Sequence, residues 1–179
     1  MTRLVLLLLL LVAAPAYADL TAAVLAMAHD GDYLPREFRG EAGERLTADL
    51  AVLFEIASTE TGEPALLLAA VARNESSFRQ NATGPAFEIG LMQLHPRHLP
   101  DGCADVKRLR QYRSFNIICG ARELAAWRRT CGQAPTFRGT DKDTLSAYQS
   151  GRCSSSTGRA YAARVLRHLA RGLAAGSGG

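Results

Sequence analysis

Apolar residues recur at helical spacing along most of the chain. Leu20, Val24, Leu25 and Ala28 predict a short helix over 20–29, and Pro35 and Gly40 mark the loop after it. Leu46, Leu50, Leu53, Phe54 and Ala57 fall on one stripe and predict a helix over 43–60. Gly62 suits its C-cap, and Pro64 suits the first position of the next helix. Residues 64–75 are rich in Ala and Leu and run without interruption to Glu75. The 77–89 stretch, with Asn81, Gly84 and Pro85, reads as a loop with at most a small β element. A short helix is expected from about Gly90 to Pro96, followed by irregular chain over 98–110. Phe115, Ile118, Leu124 and Trp127 predict a helix over 114–130, and residues 132–140 a loop. Asp141 reads as the N-cap of a helix through Ser150. Tyr161, Val165, Leu166 and Leu169 predict a last helix over 157–173, before a flexible tail at 174–179. The fold class is mainly α, with no repeat and no strand-like alternation of useful length.

The first 18 residues break this pattern. Arg3 precedes an unbroken apolar run from Leu4 to Ala14, and Ala16-Tyr17-Ala18 has the small-x-small form of a cleavage site. This is the pattern of a secretory signal peptide, with the mature chain starting at Asp19. The run is shorter than the roughly 20 residues needed to span a bilayer as a helix. Export to the periplasm or beyond the cell is therefore expected. The remainder is the size of one domain, and its core needs no outside support.

Charge and cysteine content narrow the classes further. The formal net charge is +4, and loss of Arg3 with the leader lowers it by one. This mild excess suits an acidic polymer and is too weak and unclustered for nucleic acid. Cys103, Cys119, Cys131 and Cys153 make an even count, which in an exported chain favours disulfides. Four cysteines allow three pairings, and the sequence does not choose among them. Cys103–Cys119 with Cys131–Cys153 is the pairing favoured here, because each bond then joins a loop to the neighbouring helix. There is no Cys-x-x-Cys and no His at ligand spacing, so zinc is disfavoured and neither metal nor cofactor is expected. His29, His95, His98 and His168 are scattered and imply no Ser or Cys hydrolase triad.

Glu75 is the candidate for chemistry. It ends a helix made almost entirely of Leu, Ala and Val, close to the negative end of the helix dipole. Dipole and burial both disfavour the carboxylate and raise its pKa, as a general acid near neutral pH requires.

Glu75-Ser76-Ser77-Phe78 resembles the Glu-Ser-x-aromatic signature of the soluble lytic transglycosylase family. Gly90-Leu91-Met92-Gln93 followed by Pro96 is similar to its Gly-Leu-Met-Gln segment. Asn116 with Gly120 resembles its Asn-Ile-x-x-Gly helix, Ala147-Tyr148-Gln149-Ser150-Gly151 its Ala-Tyr-Asn-x-Gly motif, and Tyr161 with Val165 its closing helix. Each motif alone is weak; the ordered set, over roughly residues 60–170, is specific. The resemblance implies a lysozyme-like helical domain at 63–173, with residues 19–62 as a helical extension packed on it. It implies cleavage of the bond between N-acetylmuramic acid and N-acetylglucosamine, with Glu75 as acid and then base. Ser76, Thr83, Met92, Gln93, Tyr148 and Tyr161 are the implied substrate-binding residues, although core packing is the ordinary role for Leu91 and Met92. Asn116 reads as structural. The implied partner is the peptidoglycan glycan strand. A cell-envelope protein docking on residues 19–60 is a second candidate partner.

The chain departs from that family at the loop before Gly90. The usual Ser-Pro-x-Gly-Ala reads Gly84-Pro85-Ala86-Phe87-Glu88 here, so a substrate-contacting Ser is missing and Thr83 is the nearest replacement. Gln149 stands in place of Asn. Glu88 offers a second carboxylate, the requirement for hydrolysis. A separation from Glu75 of about 5–5.5 Å suits a nucleophile, and about 6.5–9.5 Å leaves room for a water. The ordinary alternative for Glu88 is an exposed loop carboxylate. A lysozyme-type muramidase is thus the second reading, and a non-catalytic peptidoglycan-binding protein the third.

Overall fold

The computed structural model describes residues 20–29 and 34–176. The expected leader at 1–18 and the last residues of the expected tail, 177–179, lie outside the described residues. Residues 20–28 form α1, and a 3-10 turn at Arg36–Phe38 leads into α2 (Gly40–Thr61). The helices α3 (Ala65–Ser76), α4 (Val106–Gln111), α5 (Arg113–Gln133), α6 (Asp141–Ser150) and α7 (Ser156–Gly176) follow. No strand forms among the described residues. Two isolated antiparallel bridges, Thr83 with Ile89 and Ile89 with Leu94, are the small β element.

The core is built around α3. Leu67 to Ala72 are all buried, so this helix needs partners on every side. It packs against α2 and α7, while α5 packs against α2 and α6, and α6 against α7. The N-terminal helix joins the same core: Leu20, Val24 and Met27 are buried. Arg73 of α3 donates from Nε to the Met27 carbonyl at 2.5 Å, and Arg171 of α7 donates to the His29 carbonyl at 2.6 Å. At Gly172 a Cβ would meet the terminal methyl of Met27, so the glycine makes room for the Met27 side chain between α1 and α7.

One polar network joins three elements. Arg128 on α5 donates to both carboxylate oxygens of the buried Glu63, at 2.6 and 2.7 Å. The same guanidinium donates to Asp141 Oδ1 at 2.9 Å and to the Gly139 carbonyl at 3.0 Å. The planar fork of Arg matches a carboxylate two bonds at a time. It thereby ties the start of α3 and the start of α6 to α5. Both disulfides follow the favoured pairing: Cys103–Cys119 fastens the segment before α4 to α5, and Cys131–Cys153 fastens the end of α5 to the α6–α7 connection.

Several local expectations are corrected. The Gly90–Pro96 stretch is not a helix. Residues 90–93 form a tight turn with the Gln93 amide donating to the Gly90 carbonyl, closed by paired bonds between Ile89 and Leu94. Gly90 and Gln93 both have positive φ, which a helix excludes. Within 98–110 a helical segment does form. Asp105 caps α4 by accepting from the Arg108 amide. The N-cap of α6 is Thr140, in a capping box with Asp143, so Asp141 lies one residue inside. Pro64 is likewise the cap of α3 rather than its first residue. The last helix runs on to Gly176.

Asn116 holds the turn in place. Fully buried, it accepts from the Met92 amide at 2.8 Å and donates to the carbonyls of Ile89 at 2.9 Å and Leu109 at 3.2 Å. Replacing it with Ala would strand the buried Met92 amide and remove one of the two bonds that the Ile89 and Leu109 carbonyls each accept. Asn116→Ala is expected to destabilise the protein by about 3 kcal/mol in urea unfolding. A loss under about 0.5 kcal/mol, the range of ordinary surface changes, would contradict this account.

Phe87 is 72% exposed yet has φ of 69°, a left-handed conformation costly for a bulky side chain. Phe87→Gly removes that cost and gives up almost no burial. It is expected to raise stability by about 1 kcal/mol in the same assay; a lower unfolding midpoint would refute it.

Candidate active site

Glu75 reaches its position because α3 ends just beyond it. Ser77 (φ 54°) and Phe78 (φ 64°) are both left-handed, and their amides return to the Arg73 and Ala72 carbonyls. Two successive left-handed residues other than glycine cost on the order of 1–2 kcal/mol each. Phe78 offsets this by turning back into the core, where its ring meets Phe38 edge-on at 5.7 Å and Phe54 at 6.3 Å. The chain then leaves the helix, and Glu75 is left at the wall of a cleft of about 910 Å³.

The cleft gathers groups from four helices and two loops. α3 supplies Asn74 and Glu75; the 84–89 loop supplies Pro85 and Glu88; the tight turn supplies Gln93. His95 and His98 follow, their rings 5.1 Å apart. α5 supplies Glu123 and Trp127, α6 Tyr148, and α7 Tyr161 and Arg164. Of the residues singled out in the sequence, Glu75, Glu88, Gln93, Tyr148 and Tyr161 therefore meet around one space. The other three do not line it. Ser76 is buried, with its hydroxyl on the Leu91 carbonyl at 2.9 Å, and so fastens α3 to the turn. Met92 is buried behind the cleft against Gly120, where a Cβ would strike its side chain. Thr83 is exposed and accepts from Arg110 at 3.2 Å.

Hydrogen bonds within the site are few and directed. The Tyr161 hydroxyl donates a short bond to Glu75 Oε1. The Tyr148 hydroxyl donates to the Met92 carbonyl at 2.8 Å, which locks α6 onto the turn and leaves that hydroxyl committed to the backbone. Burial pushes both phenols well above their usual 10, so each remains a donor. Gln93 Nε2 donates to the Gly90 carbonyl at 2.9 Å, and Glu88 Oε2 accepts from the Ala86 amide at 2.9 Å.

Burial raises the Glu75 carboxyl from 4.5 to about 7. The Tyr161 hydrogen bond opposes this, the charge of Glu88 adds to it, and the charge of Arg164 opposes it. Glu123 is also raised to about 7, chiefly by burial, against a hydrogen bond from Trp127 and with a contribution from Glu75. The sequence reading missed Glu123, Trp127 and Arg164 as cleft residues. Their places in helices carry no local signal; only the packing of α5 and α7 turns them inward.

A carboxyl with a higher pKa folded than unfolded binds more protons in the folded state. Its penalty is absent at acid pH and grows as pH climbs from about 4.5 to about 7. Glu75→Gln should therefore be increasingly more stable than wild type across that range, by up to about 3 kcal/mol at pH 8. Release of Glu123 from the Glu75 charge acts in the same direction. Thermal melts from pH 4 to pH 8 test this, and a difference independent of pH would exclude a desolvated Glu75.

A family model described as the transglycosylase SLT domain matches residues 52–164. Searches of curated proteins and of solved structures gave no match. The matched span starts inside α2 and contains every residue of the cleft. SLT domains carry transglycosylase-type cleavage of peptidoglycan, which takes place outside the cytoplasm, and no described helix is long and apolar enough to cross a membrane. The helical fold agrees with that match, the match covers more than half of the 179 residues, and the chain therefore belongs to the transglycosylase SLT family.

Proposed function

We propose that the protein is an exported lytic transglycosylase that cleaves the β-1,4 bond between N-acetylmuramic acid and N-acetylglucosamine, leaving 1,6-anhydromuramyl ends. The supporting observation is the place of Glu75 at the cleft wall, hydrogen-bonded by one tyrosine hydroxyl and desolvated enough to raise its carboxyl to about 7. Glu75 gives its proton to the glycosidic oxygen as the bond to muramyl C1 breaks. The resulting carboxylate accepts the proton of the muramyl C6 hydroxyl while O6 bonds to C1. One carboxyl serves both steps, and no water is consumed. Tyr161 holds the carboxyl in one orientation. Gln93 and the sugar-facing edge of Tyr148 form part of the binding wall. Residues 63–173 are taken as the catalytic domain and 19–62 as the extension packed on it, which the burial of α1 and α2 supports.

A second reading, hydrolysis by a muramidase, is favoured by one observation: Glu88 lines the same cleft and its charge acts on Glu75. A carboxylate there is the element an activated water would need.

The products decide between the two. Muropeptides released by the purified protein are expected to end in 1,6-anhydromuramic acid, one water lighter than hydrolytic products by mass spectrometry. Reducing-end muramic acid would select the hydrolase instead. Glu75→Gln should keep the fold by circular dichroism and lower turnover by about 10²–10⁴-fold or more. Wild-type kcat/KM should fall as pH rises through about 7, because the first step needs the protonated acid. Turnover by Glu75→Gln near the wild-type rate would refute both enzymatic readings.

A further inference from the structure

Helix α5 brings a pair of residues to the cleft that the proposed acid/base step does not use. Glu123 and Trp127 lie one helical turn apart and line the same space as Glu75, with Ala126 between them. The apolar face of that helix is ordinary core: Ile117, Ala121 and Leu124 are buried. The indole N–H, the one donor of the Trp127 side chain, acts on the Glu123 carboxyl and favours its charged form. A carboxylate has about four lone-pair positions, so one indole leaves most of them open to other donors.

This arrangement is costly without a ligand. No Arg or Lys among the described residues forms an ion pair with Glu123. Its burial raises its pKa to about 7, and the Glu75 charge adds to that. A desolvated carboxyl beside another carboxyl does not stabilise a fold. Such groups concentrate where a ligand is bound. Trp127, only partly buried, offers an apolar ring beside a carboxylate, and Ala126 leaves the space next to it open.

We propose that Glu123 and Trp127 form a saccharide subsite, in which the indole face packs on the apolar face of an N-acetylhexosamine ring and the carboxylate accepts from its hydroxyl or acetamido N–H. The subsite rests on the glycan-cleaving reading of the cleft and adds to it the residues that fix the sugar's position. It differs from a role for Glu88 in hydrolysis, because Glu123 here takes no part in bond breaking.

Trp127 is the single tryptophan of the chain, so its emission reports on this subsite alone. Glu75→Gln protein, which binds without turnover, is titrated with the tetramer of N-acetylglucosamine while emission and heat are both recorded. A saturable change in Trp127 emission is expected, with the same midpoint as the calorimetric titration. Glu123→Gln added to that background should weaken binding about tenfold, the loss of one hydrogen bond to a charged group. In the otherwise wild-type enzyme, Trp127→Phe should raise KM on soluble glycan strands more than it lowers kcat. Calorimetric binding without an emission change overturns the proposal, as does an unchanged affinity in Glu123→Gln or the absence of any binding. If emission responds but wild-type protein releases no cleaved glycan, the subsite stands and the catalytic reading fails.

Discussion

Three hydrogen bonds made by one buried carboxamide organise the site. Asn116 receives the Met92 amide and gives its two N–H bonds to Ile89 and Leu109. A side chain with one acceptor and two donors, fully buried and fully used, has no substitute of equal shape. Its demands spread outward. Gly90 must lack a side chain because a Cβ there would strike the Asn116 amide, and Gly120 must lack one because Met92 fills that space. Once Met92 is fixed, its carbonyl is available to Tyr148, and α6 closes on the turn. Ser76 reaches the Leu91 carbonyl at 2.9 Å, so α3 is tied to the same turn. The turn thus forms the junction between the helix that carries Glu75 and the helices that carry the rest of the cleft.

The electrostatics of the cleft follow from what that junction brings together. Three carboxyls, from Glu75, Glu88 and Glu123, share a space lined by a single arginine, Arg164. Water would ordinarily screen such a set. Burial disfavours the charged forms of Glu75 and Glu123, and the Glu88 charge adds to this at Glu75 and the Glu75 charge at Glu123. Taking up a proton relieves the desolvation first and the repulsion second, and so two carboxyls are poised near neutral pH. Tyr161 and Arg164 act in the opposite sense on Glu75 and keep its shift moderate. An acid held far above neutral pH would give up its proton poorly, and one held far below would not carry it.

Much of this was legible in the sequence, and the reasons for success and failure differ by residue. The apolar stripes of α2, α3, α5 and α7 have enough length for helical periodicity to show, and Gly62 marks the end of α2 with the positive φ it was expected to have. The tight turn at 90–93 was hidden because Leu91, Met92 and Leu94 look like part of a helix. The deciding bonds come from Asn116, distant in sequence. The short helix α4 was hidden because its six residues bury only Leu109, too little to make a stripe. Glu63 and Arg128 are 65 residues apart and each looks like an ordinary surface charge until the fold pairs them. Glu123 is the same case in the cleft. Glutamate is common on helices, and only the rotation of α5 against α2 and α6 turns this one into the cleft.

The aromatic of the Glu75-Ser-Ser-Phe78 run shows how a packing residue comes to serve chemistry. Phe78 touches no cleft residue in the sense that Tyr161 does; it lies between Phe38 and Phe54. Yet its burial is what makes two left-handed residues tolerable at 77 and 78. Those residues end α3 within a turn of Glu75. Were the helix to continue, the chain would run past the cleft, and the Ser76 hydroxyl would lose its place beside Leu91. The position of Glu75 therefore depends on a hydrophobic contact made by α2 and the segment before it. For that reason residues outside the cleft, Phe38 among them, belong to the physical account of the site as much as the carboxyl does.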